Sequence, residues 1–138
     1  MAVGFKVKFY WYQIGSGDFL HSFFSTVAYR LENQKWGSRF PVIMNKLYQG
    51  RIDCADADKA IDELNIIKKE LQAFSPDKVI WDIDDLSKQP PWGNNISADI
   101  TDLSNYFFTS DGEDLIEIFF KALEKSKEVN CDLEIKSM

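Results

Sequence analysis

The chain carries one histidine, His21, and two cysteines, Cys54 and Cys131, and that scarcity bounds its chemistry. Ser-His-Asp or Cys-His catalysis would have to use His21 as its only imidazole. No cysteine or carboxylate lies at a spacing that builds a local constellation around it, so a structural role on the flank of an apolar helix stripe is expected. A zinc site normally needs four Cys or His ligands, or three with a carboxylate. Here the three candidates are scattered over more than a hundred positions, so no metal is expected. Gly15-Ser16-Gly17 stands where a phosphate loop would, but lacks the further glycine and the Lys-Ser/Thr ending, and reads as a turn. Asp82, Asp84, Asp85, Asp99 and Asp102 are the remaining set. Alternate carboxylates on a strand share a face and can bind Mg²⁺ or work as acid and base. Asp84 and Asp85 fall at a strand end, with no lysine or histidine in their run, so they are expected to face solvent or a partner. No catalytic residue, metal or cofactor is assigned.

The elements that must position these residues follow from periodicity. Residues 3 to 14 alternate, with Val3, Phe5, Val7 and Phe9 on one face and Lys6 and Lys8 on the other, which predicts a half-buried strand. After the Gly-Ser-Gly break, Leu20, Phe24, Val27 and Leu31 recur at helical spacing, giving a helix over 18–34 capped by Ser16 or Asp18. Pro41 and Gly50 bracket a short helix. Ala57, Ala60, Ile61, Leu64, Ile67, Leu71 and Phe74 predict a long amphipathic helix. Lys78 to Ile83 reads as a short strand, and Pro90-Pro91 then forbids ladder or helix within an irregular stretch over 84–100. Tyr106 to Thr109 is a further candidate strand, Leu115 to Leu123 falls in a final helix over about 112–128, and Leu133 and Ile135 lie in a closing strand. The class is α+β: a small, largely antiparallel or mixed sheet covered by three to four helices, in one domain spanning 1–138. Strand order does not follow from the pattern.

Composition agrees with a packed globule. With 45% hydrophobic and 28% charged residues, the chain has core material and a soluble surface, so disorder is excluded. At 138 residues it can bury roughly two thirds of its unfolded surface. No window approaches the roughly 18 apolar residues of a membrane span, the N-terminus lacks a signal-peptide core, and the unrelated cysteines suggest a reducing cytoplasm. Net charge is −6, unevenly spread: residues 1–50 sum to +4, while Asp77 to Glu117 holds ten carboxylates against Lys78 and Lys88. That half repels nucleic acid and attracts basic partners.

Several stretches are more particular than composition. Trp11-Tyr12-Gln13-Ile14-Gly15-Ser16-Gly17-Asp18-Phe19-Leu20, Trp36-Gly37-Ser38-Arg39-Phe40-Pro41, Phe74 to Ile83, Pro90-Pro91-Trp92-Gly93 and Tyr106 to Gly112 occur in that order along nearly the whole chain. In these motifs it resembles the immunity protein 70 family. The resemblance implies a small cytosolic antitoxin, encoded beside a secreted polymorphic toxin such as the LXG-type toxins of Gram-positive bacteria, that binds and neutralises the cognate toxin domain. The family supplies no catalytic residues to carry over. An acidic surface would suit a basic nuclease toxin.

Two functions of different class therefore stand at this point. The first is an inhibitor that occludes a toxin, with Trp92, Asp82, Asp84, Asp85, Asp99 and Asp102 as its contact residues. The second is a small enzyme or ligand-binding domain using the acidic and aromatic loop 81–102. Trp92, between Pro91 and Gly93, is the expected anchor, because tryptophan is enriched among interface residues that dominate binding energy. Neither nucleic acid nor membrane is an expected partner.

Overall fold

The computed structural model describes residues 2–93 and 95–137. Asn94, part of the irregular stretch expected after Asp84, lies outside the described residues. The alternating N-terminal segment forms two strands rather than one, β1 (Ala2–Val7) and β2 (Tyr10–Ser16). They pair antiparallel with Val7 opposite Tyr10, so Lys8 and Phe9 make a two-residue turn. Lys8 takes a φ of 56°, the positive value that primed hairpin turns need at their first central position. The usual Asn-Gly signal is missing, and Phe9, expected on the buried face, is 85% exposed at the tip. Gly4 cannot carry a side chain here, since a Cβ would lie 2.5 Å from the Trp11 indole.

β4 (Leu133–Ser137) pairs antiparallel with the other side of β1, and the two-residue β3 (Arg51–Ile52) pairs with β4. The sheet is antiparallel throughout, in the order β2-β1-β4-β3. The expected helices are present. α1 (Gly17–Thr26) is capped by Ser16, whose hydroxyl accepts from the Phe19 amide at 3.1 Å, and runs on as a π-helical turn, Val27–Leu31. A second π-helical segment spans Val42–Leu47, and α2 spans Ala57–Leu71. α3 (Leu115–Val129) begins three residues later than the Gly112 expected as its start. Its cap is Asp114, whose carboxylate accepts from the amides of Ile116 and Glu117 at 2.9 and 3.2 Å.

One hydrophobic cluster joins these elements. Phe119 of α3 lies 4.7 Å from Phe5 of β1 and 5.1 Å from Phe23 of α1, ring centre to ring centre. α2 adds Ala60, Leu64, Ile67 and Leu71, all fully buried, and a buried aliphatic side chain contributes about 1.5–3 kcal/mol.

Two of the expected strands do not form. Lys78 to Ile83 is partly extended but joins no ladder; it lies along α1 instead. Ser22, Ser25 and Thr26 stand at i, i+3 and i+4 on one face of that helix, and all three are fully buried. The hydroxyls of Ser22 and Thr26 donate to the Ile80 carbonyl at 2.9 and 3.1 Å, and the Thr26 oxygen accepts from the Ile80 amide at 3.0 Å. Ser25 accepts from the Ile83 amide at 3.2 Å. Helix side chains thus satisfy backbone groups that a strand would pair with another strand. Tyr106 to Thr109 makes only a single bridge, Phe108 opposite Asp114.

Candidate functional site

The segment laid along α1 carries the candidate residues to two neighbouring patches. In the first, a turn closed by the Gly93 amide on the Pro90 carbonyl (2.9 Å) presents Trp92. Its indole N–H donates to the Tyr106 hydroxyl at 2.8 Å, and its ring stands edge-on to Trp81 at 5.4 Å. Trp92 remains 37% exposed, so it is anchored on one side and open on the other. With Phe19, Ile96, Ile100, Tyr106 and Phe108 it lines an apolar groove of about 260 Å³. Burial raises the Tyr106 phenol above its ordinary value, opposed by the Trp92 hydrogen bond.

The second patch begins one residue after Trp81. Asp82 meets His21, with Nε2 to Oδ1 at 3.3 Å, while Nδ1 of the same ring lies 3.1 Å from the Tyr48 hydroxyl. With Nε2–H donating to the carboxylate, Nδ1 is left to accept from Tyr48. Asp82 also accepts from the Asp84 amide at 2.9 Å, and Lys88 Nζ stands 3.5 Å from its second oxygen. The Asp84 amide, followed by His21, holds the Asp82 carboxyl below its usual value against the opposing effect of burial. Tyr48 is raised, chiefly by burial and then by Asp84 and Asp82. Ligand atoms of His21, Asp82 and Asp84 lie within 4.8 Å of one another, near enough to share a divalent cation. Both Asp82 oxygens, however, already serve protein donors.

Aromatic rings wall this second patch. Trp36 and Tyr48 stand 4.7 Å apart at 68°, and His21 lies nearly parallel to Trp36 at 6.4 Å. Trp36 is fixed by its indole N–H, which donates to the Met44 carbonyl at 2.7 Å. The loop that carries it closes around the buried Glu32, whose carboxylate accepts from the amides of Gly37, Arg39 and Phe40 at 2.9 to 3.0 Å. Gly37 has a φ of +77°, and a Cβ there would meet the Asn45 side chain at 2.3 Å, so that closure requires glycine.

The remaining expected residues are divided. Asp84, Asp85 and Asp99 are exposed, and hydrogen bonds from Ser87 hold Asp85 below its usual range. Asp102 is committed to the fold: it caps a short 3-10 turn, Leu103–Asn105, in a reciprocal capping box with Asn105. Burial would raise its carboxyl, but hydrogen bonds from Ser104, Thr101 and Asn105 bring it below the ordinary value. His21, Trp36 and Tyr48 were not assigned to any surface from sequence. Their one local trace is the Ser/Thr stripe of α1, which marks a helix face covered by polar backbone; the partners come from 27 and 61 residues away.

Fold and surface together define a small α+β protein with helices packed on an antiparallel sheet and with aromatic and acidic groups turned to solvent. The model of the family described as Immunity protein 70 matches residues 5–135, and the chain belongs to that family. No curated protein and no solved structure matches the chain. Among the described residues, no helix is long and apolar enough to cross a membrane.

Proposed function

We propose that this immunity-family protein neutralises a cognate secreted polymorphic toxin by binding its toxin domain, and that the segment Trp81 to Asp102 is the main contact. The observation that carries the reading is Trp92: a large aromatic held by Tyr106 and Trp81, yet open to solvent beside an apolar groove. Preorganised, half-exposed aromatics of this kind make binding hot spots, because little side-chain entropy is lost on association. Asp84, Asp85 and Asp99 lie exposed around it in sequence and favour a basic partner, a nuclease domain among the candidates.

An inhibitory rather than enzymatic role is what membership of an immunity family favours. The His21 ring lies between Asp82 and Tyr48, and the Tyr48 phenol is raised, chiefly by burial, which suits a hydrogen-bond donor and not a nucleophile. The test is co-expression with the toxin domain encoded by the neighbouring open reading frame in a reducing cytoplasm. Growth should be rescued and the two chains should co-purify; a chain that folds but neither protects nor co-purifies would overturn the proposal.

A further inference from the structure

The second patch is more than a support for Asp82. His21, Trp36, Tyr48 and Asp84, with Asn45 and Gln49, are among the residues that line a pocket of about 350 Å³. That is the small end of ligand pockets, which span roughly 300–1,000 Å³. We propose that it receives a single arginine side chain of the protein partner.

Each part of a guanidinium-bearing side chain finds its counterpart here. The planar cation requires an aromatic face within about 6 Å, and tryptophan and tyrosine are the favoured rings. Trp36 and Tyr48 both line the pocket; they pack against each other edge to face, 4.7 Å apart at 68°, so a guanidinium can lie over one ring but not between the two. The fork of N–H donors requires acceptors in more than one direction. Asp84 offers a charged one, and Asn45 and Gln49, which carry neutral acceptors, also line the pocket. The aliphatic stem requires apolar wall, which the half-buried Ile83 provides. Tyr48 feels the negative charge of both Asp84 and Asp82, so a cation beside its ring meets a field of favourable sign. Asp82 is spoken for by His21, Lys88 and the Asp84 amide. That leaves Asp84, which is exposed, as the carboxylate that meets the ligand. A divalent cation held by His21, Asp82 and Asp84 would compete with these donors for Asp82, whereas a guanidinium on Asp84 leaves them in place. A lysine would present one point charge and forgo a forked contact to the Asp84 carboxylate. The toxin-binding reading supplies only the source of the side chain; the chemistry of the pocket stands apart from it.

The test is a titration of the isotope-labelled full chain with N-acetyl-arginine-N-methylamide, followed by NMR, with the citrulline and lysine analogues and with Zn²⁺ alone as separate arms. The arginine probe should produce saturable millimolar shifts at Trp36, Tyr48, Asn45 and Asp84. The citrulline analogue, uncharged but of similar shape, should bind about tenfold more weakly or worse, as expected when a charge-assisted hydrogen bond is lost, and Asp84→Asn should weaken the arginine probe similarly. Equal binding of citrulline, shifts that survive Asp84→Asn, a clear preference for the lysine probe, or Zn²⁺ displacing the probe at stoichiometric amounts would each overturn the assignment. The co-expression assay separates the two proposals. Protection by a chain that ignores the arginine probe sinks only the pocket, while probe binding by a chain that fails to protect sinks only the toxin reading.

Discussion

The sheet with α2 and α3, and the segment from Lys78 to Tyr106, are held by different kinds of contact. In the first region backbone pairs with backbone: β1 has a strand on each side, and the helices close over Phe5, Leu64 and Phe119, which are fully buried. In the second, beyond local turns and the Leu103 amide on the Phe74 carbonyl, the backbone is held by side chains. Hydroxyls of α1 fasten Ile80 and Ile83, the Asp102 carboxylate fastens a short turn, and the Trp92 indole fastens the loop to Tyr106. The difference teaches where change is tolerated. A region whose geometry hangs on a few polar side chains keeps most of its backbone and apolar groups near solvent, and such regions open at lower free energy than a packed core. The candidate contact residues lie in that region.

Substitutions should separate the two regions by size of effect. Phe119→Ala removes the ring that joins β1, α1 and α3, and is expected to cost about 3–5 kcal/mol, measured as a fall in the urea midpoint. Thr26→Val keeps shape but deletes the hydroxyl that both donates to and accepts from Ile80. The Ile80 amide then loses its partner while its carbonyl keeps the Ser22 hydroxyl, which should cost about 1–2 kcal/mol. Hydrogen exchange should show the loss at Ile80 to Ile83 and spare the amides of α2. If α2 exchanges faster to the same degree, the two regions unfold as one unit and the contrast drawn above is wrong.

How far each region was legible in the sequence follows the same line. α2 and the closing strand are read correctly because Ala60, Leu64, Ile67, Leu71 and Leu133 bury what their spacing says they bury. The hairpin hides because Lys8 and Phe9 lack turn chemistry, so alternation runs unbroken across the turn. Lys78 to Ile83 has β-branched composition, yet composition cannot say whether the partner is a strand or a row of hydroxyls. Trp92 and the exposed aspartates are visible as a set, being adjacent in the chain. The pocket around His21 is not, because Trp36, Tyr48 and Asp82 reach it from three separate segments.

Acid should open the second region first. In the unfolded chain Asp82 and Asp102 take up protons near pH 4. Both are held below that in the fold, so the stability they contribute is present above about pH 4 and is lost as pH falls through their folded values. Glu63 and Asp114, next to the π-helical segment and at the start of α3, are raised by burial; their effect has the opposite sign and favours the fold at low pH. Asp56 and Glu70 are lowered by solvent-exposed ion pairs with Lys46 and Arg39, which contribute little. Tryptophan fluorescence should therefore change at higher pH than the far-UV helix signal. Coincident transitions would show that the loop carboxylates do not act separately. A smaller loss belongs to Trp92→Phe, which deletes the hydrogen bond to Tyr106 while keeping the aromatic packing, for about 1 kcal/mol. In a complex with the toxin it should speed dissociation more than it slows association.

The smallest effect on the fold, and the sharpest on function, belongs to charge reversal at Asp85 and Asp99. Neither side chain is buried, and neither lines the pocket assigned to arginine, so Asp85→Lys and Asp99→Lys should shift the urea midpoint little, what is lost at Asp85 being the exposed turn hydrogen bonds from Ser87. What they alter is the long-range field around Trp92. A cationic partner is steered toward a negative surface before any contact forms, so reversing two of its charges should slow association by about three- to tenfold at low salt. At about 0.15 M salt the screening length is about 8 Å, and the gap between variant and parent should narrow as salt is raised further. Dissociation should change little, because short-range packing at Trp92 sets it. That split, an on-rate sensitive to salt at Asp85 and Asp99 and an off-rate sensitive to ring substitution at Trp92, is what an interface on this segment requires. Unchanged association for the double variant at low salt would move the contact to another face of the molecule.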